Sequence, residues 1–303
     1  MATVITNLLS AIPVFGKDLV ELKNLKIKLP TIGKINVHAL KKGRKKRLNK
    51  DEFLFIPYSF LAMLVGLIDG DGYILINKTT KGYIKINLTI AFNIRDLSIL
   101  EYIYSVLSLG QITVYSKLEI CKLIINRTDI QEVLFPLLIH HKLFFLTDTR
   151  REQFNKAMYI LTKELKFFIE IPSNIPNMHP LPDTAIKYTS LPFFNNWIVG
   201  FTIAEGSFLI KSNKDACFQL RQCEHKLLFE AFKIIFSTNR KIGLDNNLYN
   251  LFSVSSKSDI QQVINFFSFS GYHPLLGYQN IRYQIWITYL KNSKRYNKLI
   301  FPN

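Results

Sequence analysis

Two acidic side chains, Asp71 and Glu205, stand at matching places in a pattern written twice, LVGLIDGDG at 64–72 and IVGFTIAEG at 198–206. Registered on each other, Gly66 meets Gly200, Gly70 meets Ala204, Asp71 meets Glu205 and Gly72 meets Gly206, at a constant offset of 134. Each segment reads as an apolar helix ending in an acid followed by glycine. Small residues four apart share one helical face and let two backbones approach closely. Close helices bring their ends together, so the spacing sets Asp71 beside Glu205, each at the negative pole of a helix dipole. A carboxylate there is disfavoured by roughly 0.3–1 kcal/mol before mutual repulsion is counted. Something cationic must compensate. A hard divalent ion takes oxygen ligands, so Asp71, Glu205 and the backbone carbonyls of Gly70 and Ala204 form a partial shell completed by water and phosphate, with Mg²⁺ the natural ion. A lone GDG or AEG reads more readily as a solvent-exposed helix end; duplication in register is what argues for a site. Asp69 is set apart, because its counterpart is Ile203. It is expected to pair with a nearby lysine or backbone amide instead.

The elements that hold these acids follow a repeated order. Ser59 is a plausible N-cap for a helix over 60–70, which Gly72 can end by taking the left-handed conformation. Strand-like alternation then places Ile74 and Ile76, and past the Lys81–Gly82 turn Ile84, Ile86, Leu88 and Ile90, on one face. Tyr83, Lys85, Asn87 and Thr89 take the other, polar and basic face. Helix over about 96–108, two strands over about 111–126, and helices over about 128–139 and 150–168 complete the unit. A proline-rich stretch, IPSNIPNMHPLPD at 171–183, suits an extended linker. The unit then repeats: Asn195 or Asn196 caps a helix through Ala204, and Phe208, Ile210, Phe218 and Leu220 alternate with Lys211, Gln219 and Arg221. Helices recur at about 225–237, 257–269 and 280–292. The fold class is therefore α+β, two pseudo-symmetric αββαββα halves, and internal duplication is its surest feature. The divisions expected are an N-terminal extension over 1–50, a first half over 57–170, a linker over 171–192 and a second half over 193–303.

A formal net charge of +17 on 303 residues makes a polyanionic partner the leading explanation of the composition. Lys85, Asn87, Lys211, Gln219 and Arg221, facing outward from strands, are the residue types that read base edges and phosphates. Each is also an ordinary residue for a solvated strand face. Three cysteines without CxxC spacing exclude a disulfide framework and a zinc ribbon, and suit a reducing compartment. The longest apolar stretch, 53–68, contains Pro57, runs into Asp69 and is too short to span a bilayer. The first 22 residues lack the character of a signal or transit peptide. Seven of the ten residues from Lys41 to Lys50 are Lys or Arg, as in a solvated arm.

Together, the two motifs, WIVGFTIAEGSF, the FQLRQ strand ending at Gln222, the HPLLGYQN turn at 273–280 and the RYQIWITYL helix resemble the single-chain LAGLIDADG homing endonucleases and related intron maturases. The resemblance extends over 57–300. It implies two β-saddles flanking the pair of motif helices, with the sheets along the major groove of double-stranded DNA and a cut in each strand. It implies a monomer with pseudo-twofold symmetry, off the membrane, in which Asp71 and Glu205 hold two or three Mg²⁺ ions, Mn²⁺ or Ca²⁺ substituting in binding. Gln222 is then a catalytic-site neighbour of the metal, with Asn93 as its counterpart in the first half. Two saddles with strands of about eight residues span some 50 Å in series, or about 15 base pairs, so the target is long. Residues 3–22, TVITNLLSAIPVFGKDLVEL, resemble mitochondrial cytochrome b, which implies an intron reading frame fused to its upstream exon, synthesis in the mitochondrial matrix and a cytochrome b gene target.

In one respect the chain departs from the family. Many cleaving members carry a lysine shortly after the LLG turn; here that place falls on Gln279, and in the first half on Thr147, with Lys142, Arg150 and Arg282 the nearby cations. A neutral amide cannot replace an ammonium electrostatically. The alternative reading is therefore a maturase that binds its host group I intron RNA without efficient DNA cleavage.

Overall fold

The computed structural model describes residue 48 and residues 50–302, apart from 176, 178, 179, 224, 246 and 247. The cytochrome b-like stretch and nearly all of the basic run lie outside the described residues. Among those described, no helix is long and apolar enough to cross a membrane.

The first half runs α1 (Tyr58–Asp71), β1 (Gly72–Lys78), β2 (Ile84–Asn93), α2 (Leu97–Leu107), β3 (Gln111–Tyr115), β4 (Ile120–Asn126), α3 (Phe135–His140) and α4 (Asp148–Thr162). The second runs α5 (Phe194–Glu205), β5 (Gly206–Ile210), β6 (Ala216–Cys223), α6 (Lys226–Ile235), β7 (Gly243–Asp245), β8 (Tyr249–Val254), α7 (Lys257–Ile264) and α8 (Gly277–Asn292). Both sheets are antiparallel with the same order, β1-β2-β4-β3 and β5-β6-β8-β7. The α+β duplication read from the sequence is the fold observed.

Alternation decides which face of each sheet is buried. Ile74, Ile84, Ile86, Leu88 and Ile90 go into the first core, and Phe208, Phe218, Leu220 and Phe252 into the second. The register pairs Tyr73 with Thr89, Leu75 with Asn87 and Asn77 with Lys85 on the opposite face. The two cores differ in kind. Branched aliphatics fill the first sheet's inner face, whereas Phe194, Trp197, Phe201 and Phe232 stack in the second half at centroid distances of 4.7–6.4 Å.

Between the sheets, α1 and α5 cross at glycine. A Cβ added to Gly66 would strike the backbone carbonyl of Trp197, and one on Gly200 would strike that of Met63. Nothing in either obstruction can rotate away, so both positions require glycine. One turn on, the Ala204 methyl occupies the space that a Gly70 Cβ would need, so this pair has room for one methyl.

Local details differ from expectation. Helix α1 starts two residues early behind Pro57, and α5 is preceded by Phe193. Asn195 and Asn196 instead bond the chain before α8: Asn195 Nδ2 donates to Tyr272 Oη at 2.7 Å and Asn196 Oδ1 accepts from His273 N at 2.8 Å. Gly72 and Gly206 are extended, at φ −92° and −83°, not left-handed. Their glycine is required by packing, since a Cβ would lie 2.8 Å from Ile68 Cα or 2.5 Å from Thr202 O. The 150–168 helix stops at Thr162, and 163–168 turns back to bridge Phe167 to Tyr83.

Candidate metal and nucleic-acid site

At the shared end of α1 and α5 the two acids adjoin: a Cβ on Gly70 would stand 3.3 Å from Glu205 Cγ. Gly70, Asp71, Ala204 and Glu205 thus occupy one place, within the last helical turns whose carbonyls lack helical donors. Gln222 joins them from β6, donating from Nε2 to Glu205 Oε1 at 3.1 Å. Among the described residues no side chain or backbone donor bonds Asp71.

Burial pushes Asp71 up to about 6, with the charge of Asp96 adding and that of Arg150 opposing. Burial likewise pushes Glu205 up to about 7, reinforced by Asp71 and opposed by Gln222, Arg221 and Arg150. Two carboxylates in one desolvated place, each resisting ionisation, form a site short of positive charge. The donor set suits a hard divalent ion. Among the described residues no group of three or more His, Cys, Asp or Glu side chains assembles. Such an ion would therefore share its shell with water and an incoming phosphate rather than be caged by protein.

Asp69, two residues before Asp71 on α1 and buried, serves a different end. Its carboxylate accepts from Leu146 N at 2.8 Å, Thr147 N at 3.2 Å, Thr147 Oγ1 at 2.6 Å and Trp197 Nε1 at 2.7 Å. Backbone amides are indeed its partners, together with a hydroxyl and an indole. They tie α1 to the loop before α4 and to α5.

This network moves Thr147 away from the role assigned by sequence. Thr147 is the N-cap position of α4, as Leu276 is of α8. Counting from those starts, the first-half equivalent of Gln279 is Arg150. The bonding agrees: Arg150 Nε donates to Ile68 O at 3.1 Å, and Gln279 Nε2 donates to Thr202 O at 3.2 Å. Each carbonyl belongs to the third residue upstream of the motif acid. A cation therefore occupies the first-half position, and in the sequence Arg150 stands out only as one of the basic residues near Thr147. Its guanidinium, whose pKa burial lowers, interacts with Asp69, Asp71 and Glu205.

Asn93 needs a second correction. Gly72 pairs with Ile90 and Gly206 with Leu220, so the ladder places Phe92, not Asn93, opposite Gln222 in the pseudo-symmetry. Asn93 Oδ1 instead accepts from Arg95 N at 3.1 Å. It still borders a cleft of about 340 Å³ beside Asp71, along with Asp96, Tyr278, Gln279 and Arg282.

Of the residues expected to face nucleic acid, Lys85 is exposed and Asn87 half-buried on β2, whose register puts both on the outer face. Gln219 donates to Ser253 Oγ at 3.1 Å across the second sheet. Arg221 is exposed and lies over the Tyr249 ring at 4.1 Å. Lys211 sits past the end of β5, its N–H donating to Asp215 O in the hairpin turn. The acids lie at the opposite end of this hairpin.

Residues 64–161 match the family model described as LAGLIDADG endonuclease. A curated relative, the probable intron-encoded endonuclease aI3 of Dictyostelium citrinum, is 25% identical over 233 residues, spanning 71% of this chain and 89% of its own. Among solved structures, the I-LtrWI LAGLIDADG homing endonuclease bound to target DNA aligns with TM-score 0.61 at 18% identity, over 77% of this chain and 90% of that one. I-GzeII in complex with its DNA target aligns at 0.60 and 21% identity, over 77% and 91%. I-SmaMI bound to uncleaved DNA in the presence of calcium ions aligns at 0.60 and 20%, over the same shares. The chain is thus similar to the LAGLIDADG endonucleases over residues 64–161, and shares with the solved homing endonucleases the duplicated fold and its paired motif helices.

Proposed function

We propose that this protein is a site-specific DNA endonuclease that makes a divalent-metal-dependent double-strand cut at a long recognition site, as intron homing requires. One observation carries the reading: two buried, charge-starved carboxylates meet at the abutting helix ends between two matched sheets of a strongly basic chain. Mg²⁺ held by Asp71 and Glu205, with the Gly70 and Ala204 carbonyls, would neutralise the phosphate and activate water. The chain's own groups do the rest. Gln222 orients the Glu205 carboxylate, Arg150 holds a fixed positive charge beside the acids, and the polar sheet faces with Lys85, Asn87, Gln219 and Arg221 set the register on the duplex. Lys211, at the hairpin turn, is placed to contact backbone phosphate farther from the cut. The partner is double-stranded DNA, bound by a monomer. The cytochrome b-like N-terminus points to an intronless cytochrome b gene as target and the mitochondrial matrix as the location.

Incubated with Mg²⁺, the purified protein is expected to cut intronless cytochrome b DNA near the exon junction. Glu205→Gln is expected to slow cutting by about 10³-fold, as loss of a charge-stabilising group does, while DNA binding is retained. Equal loss of cutting and binding would make the acid structural. A second reading is favoured by one residue, Gln279, which puts a neutral amide at a family lysine position: an RNA-binding maturase for the host intron. Tight DNA binding without cutting, together with binding to that intron's RNA, would select it.

A further inference from the structure

The groups flanking the two acids are not matched, and the mismatch has a chemical consequence. Arg150 and Gln279 are the third residues of α4 and α8, and each is anchored to the carbonyl three residues ahead of a motif acid, Ile68 O at 3.1 Å and Thr202 O at 3.2 Å. Equivalent anchorage places their side-chain ends at equivalent points on opposite sides of the acid pair. One end is a guanidinium and the other an amide. The guanidinium is also immobile, because Nη1 donates at 3.0 Å to Gln153 Oε1, which accepts in turn from Ile74 N at 2.9 Å. On the other side Arg282, one turn along α8, stands with Nη1 3.4 Å from Gln279 Oε1, and Arg221 on β6 acts on Glu205 from the sheet rather than from the α8 position. Arg282 lines the cleft beside Asp71, with its one hydrogen bond there the long one to Gln279.

Hydrolysis of each strand adds a water oxygen to phosphorus, breaks one P–O ester bond and yields a phosphate monoester and an alcohol, the water proton reaching the leaving oxygen. Negative charge builds on the phosphoryl and leaving oxygens in both reactions. A preorganised charge stabilises that build-up far better than a neutral amide or a side chain that must first be positioned.

We infer that the two strands are cut in a set order and at unequal rates. The phosphodiester on the Arg150 side is broken first, and that on the Gln279 side lags, so a nicked duplex accumulates. The inference rests on the endonuclease reading above and adds to it the order of events.

The test uses the full chain, Mg²⁺, and a target duplex carrying different labels at its two 5′ ends, with a supercoiled plasmid bearing the same site in parallel. One strand is expected to be cut about tenfold or more faster than the other, with open-circular plasmid preceding linear. Gln279→Lys is expected to accelerate the slower strand selectively and reduce the open-circular peak. Arg150→Gln is expected to slow the faster strand by about 100-fold, and Arg150→Lys to recover most of that rate. Affinity for the duplex, measured in Ca²⁺, should stay within twofold throughout. Equal strand rates in the unmodified protein overturn the inference, as does a Gln279→Lys variant that changes both strands alike. Should Arg150→Gln fail to fold, Gln279→Lys decides alone. No cut in either strand overturns the endonuclease reading itself, and the strand order falls with it.

Discussion

The end of α1 and the end of α5 each carry an acid in the same place, Asp71 and Glu205, yet they are held by opposite chemistry. Behind Asp71 lies a second carboxylate, Asp69, buried and accepting four hydrogen bonds. Behind Glu205 the matching residue is Ile203, packed in the core. The same division recurs where each half reaches across to the other. Asp96, ahead of α2, accepts from Tyr278 N at the start of α8 at 2.7 Å. Its counterpart ahead of α6, His225, meets Asp148 at the start of α4, with Nδ1 3.4 Å from Oδ2. What both halves keep is the glycine crossing and the acid, the features tied to helix approach and metal chemistry. What they have exchanged is the means of anchoring, where any satisfied polar network or apolar contact suffices.

If the crossing is the shared requirement, disturbing it should have the largest effect. Gly200→Ala drives a methyl into Met63 O and Leu67 N, both backbone. We expect a loss above about 3 kcal/mol, at the upper end of overpacking costs, read as the shift in guanidinium midpoint at constant slope. The Gly70 and Ala204 pair sharpens the point. Gly70→Ala alone collides with the Ala204 methyl, whereas Gly70→Ala with Ala204→Gly moves the same methyl to the other helix and should restore most of the stability. Without that recovery, the two helix ends are less alike than the crossing suggests.

Asp69→Ala tests the difference rather than the likeness. It strands Leu146 N, Thr147 N and Trp197 Nε1, buried donors that each cost about 1–3 kcal/mol when unpaired. A loss of about 3 kcal/mol is expected, against less than about 1.5 kcal/mol for the volume-conserving Ile203→Leu. Comparable losses would mean that Asp69 is a space-filler and its network incidental.

The fold was legible because it was written twice. Alternating Ile and Phe in the strands and apolar runs ending in acid–glycine are local signals, and one copy checks the other. The acid pair followed from Gly66 and Gly200, since close helix approach leaves a trace in residue size. The anchoring was not legible, because its partners are far apart in the chain: Asp69 meets Trp197 only through the crossing, and Asn196 meets His273 only once α5 is docked. The Thr147 assignment failed for the same reason. Counting from the LLG turn ignores that the first half lacks its glycine, while counting from the helix starts, which only the structure shows, gives Arg150. Gly72 was misread because a glycine after a helix suggests a left-handed turn, whereas the strand leaves directly and what excludes Cβ is Ile68.

The smallest expected effect concerns how the two acids share one poorly compensated place. Burial pushes Asp71 from 3.8 up to about 6 and Glu205 from 4.5 up to about 7. Between the ordinary values and the raised ones, the folded protein without metal holds protons that the unfolded chain has released. Stability must therefore fall as pH rises from about 4 to about 7 and level off above that. Asp69, raised to about 6 by burial, contributes to the same descent, so the raw curve does not isolate the pair. Subtraction does. Glu205→Gln removes the Glu205 portion while leaving Asp69 and its partners in place, so the variant should gain on the parent as pH rises from about 4.5 to about 7 and hold that gain above it. Mg²⁺ should raise the parent's midpoint at pH 8 much more than at pH 5, where a proton already occupies each carboxylate, and should raise the variant's less. A parent and variant whose stability curves run parallel from pH 4 to 8 would show that Glu205 ionises without penalty, and that the two helix ends do not compete for one cation.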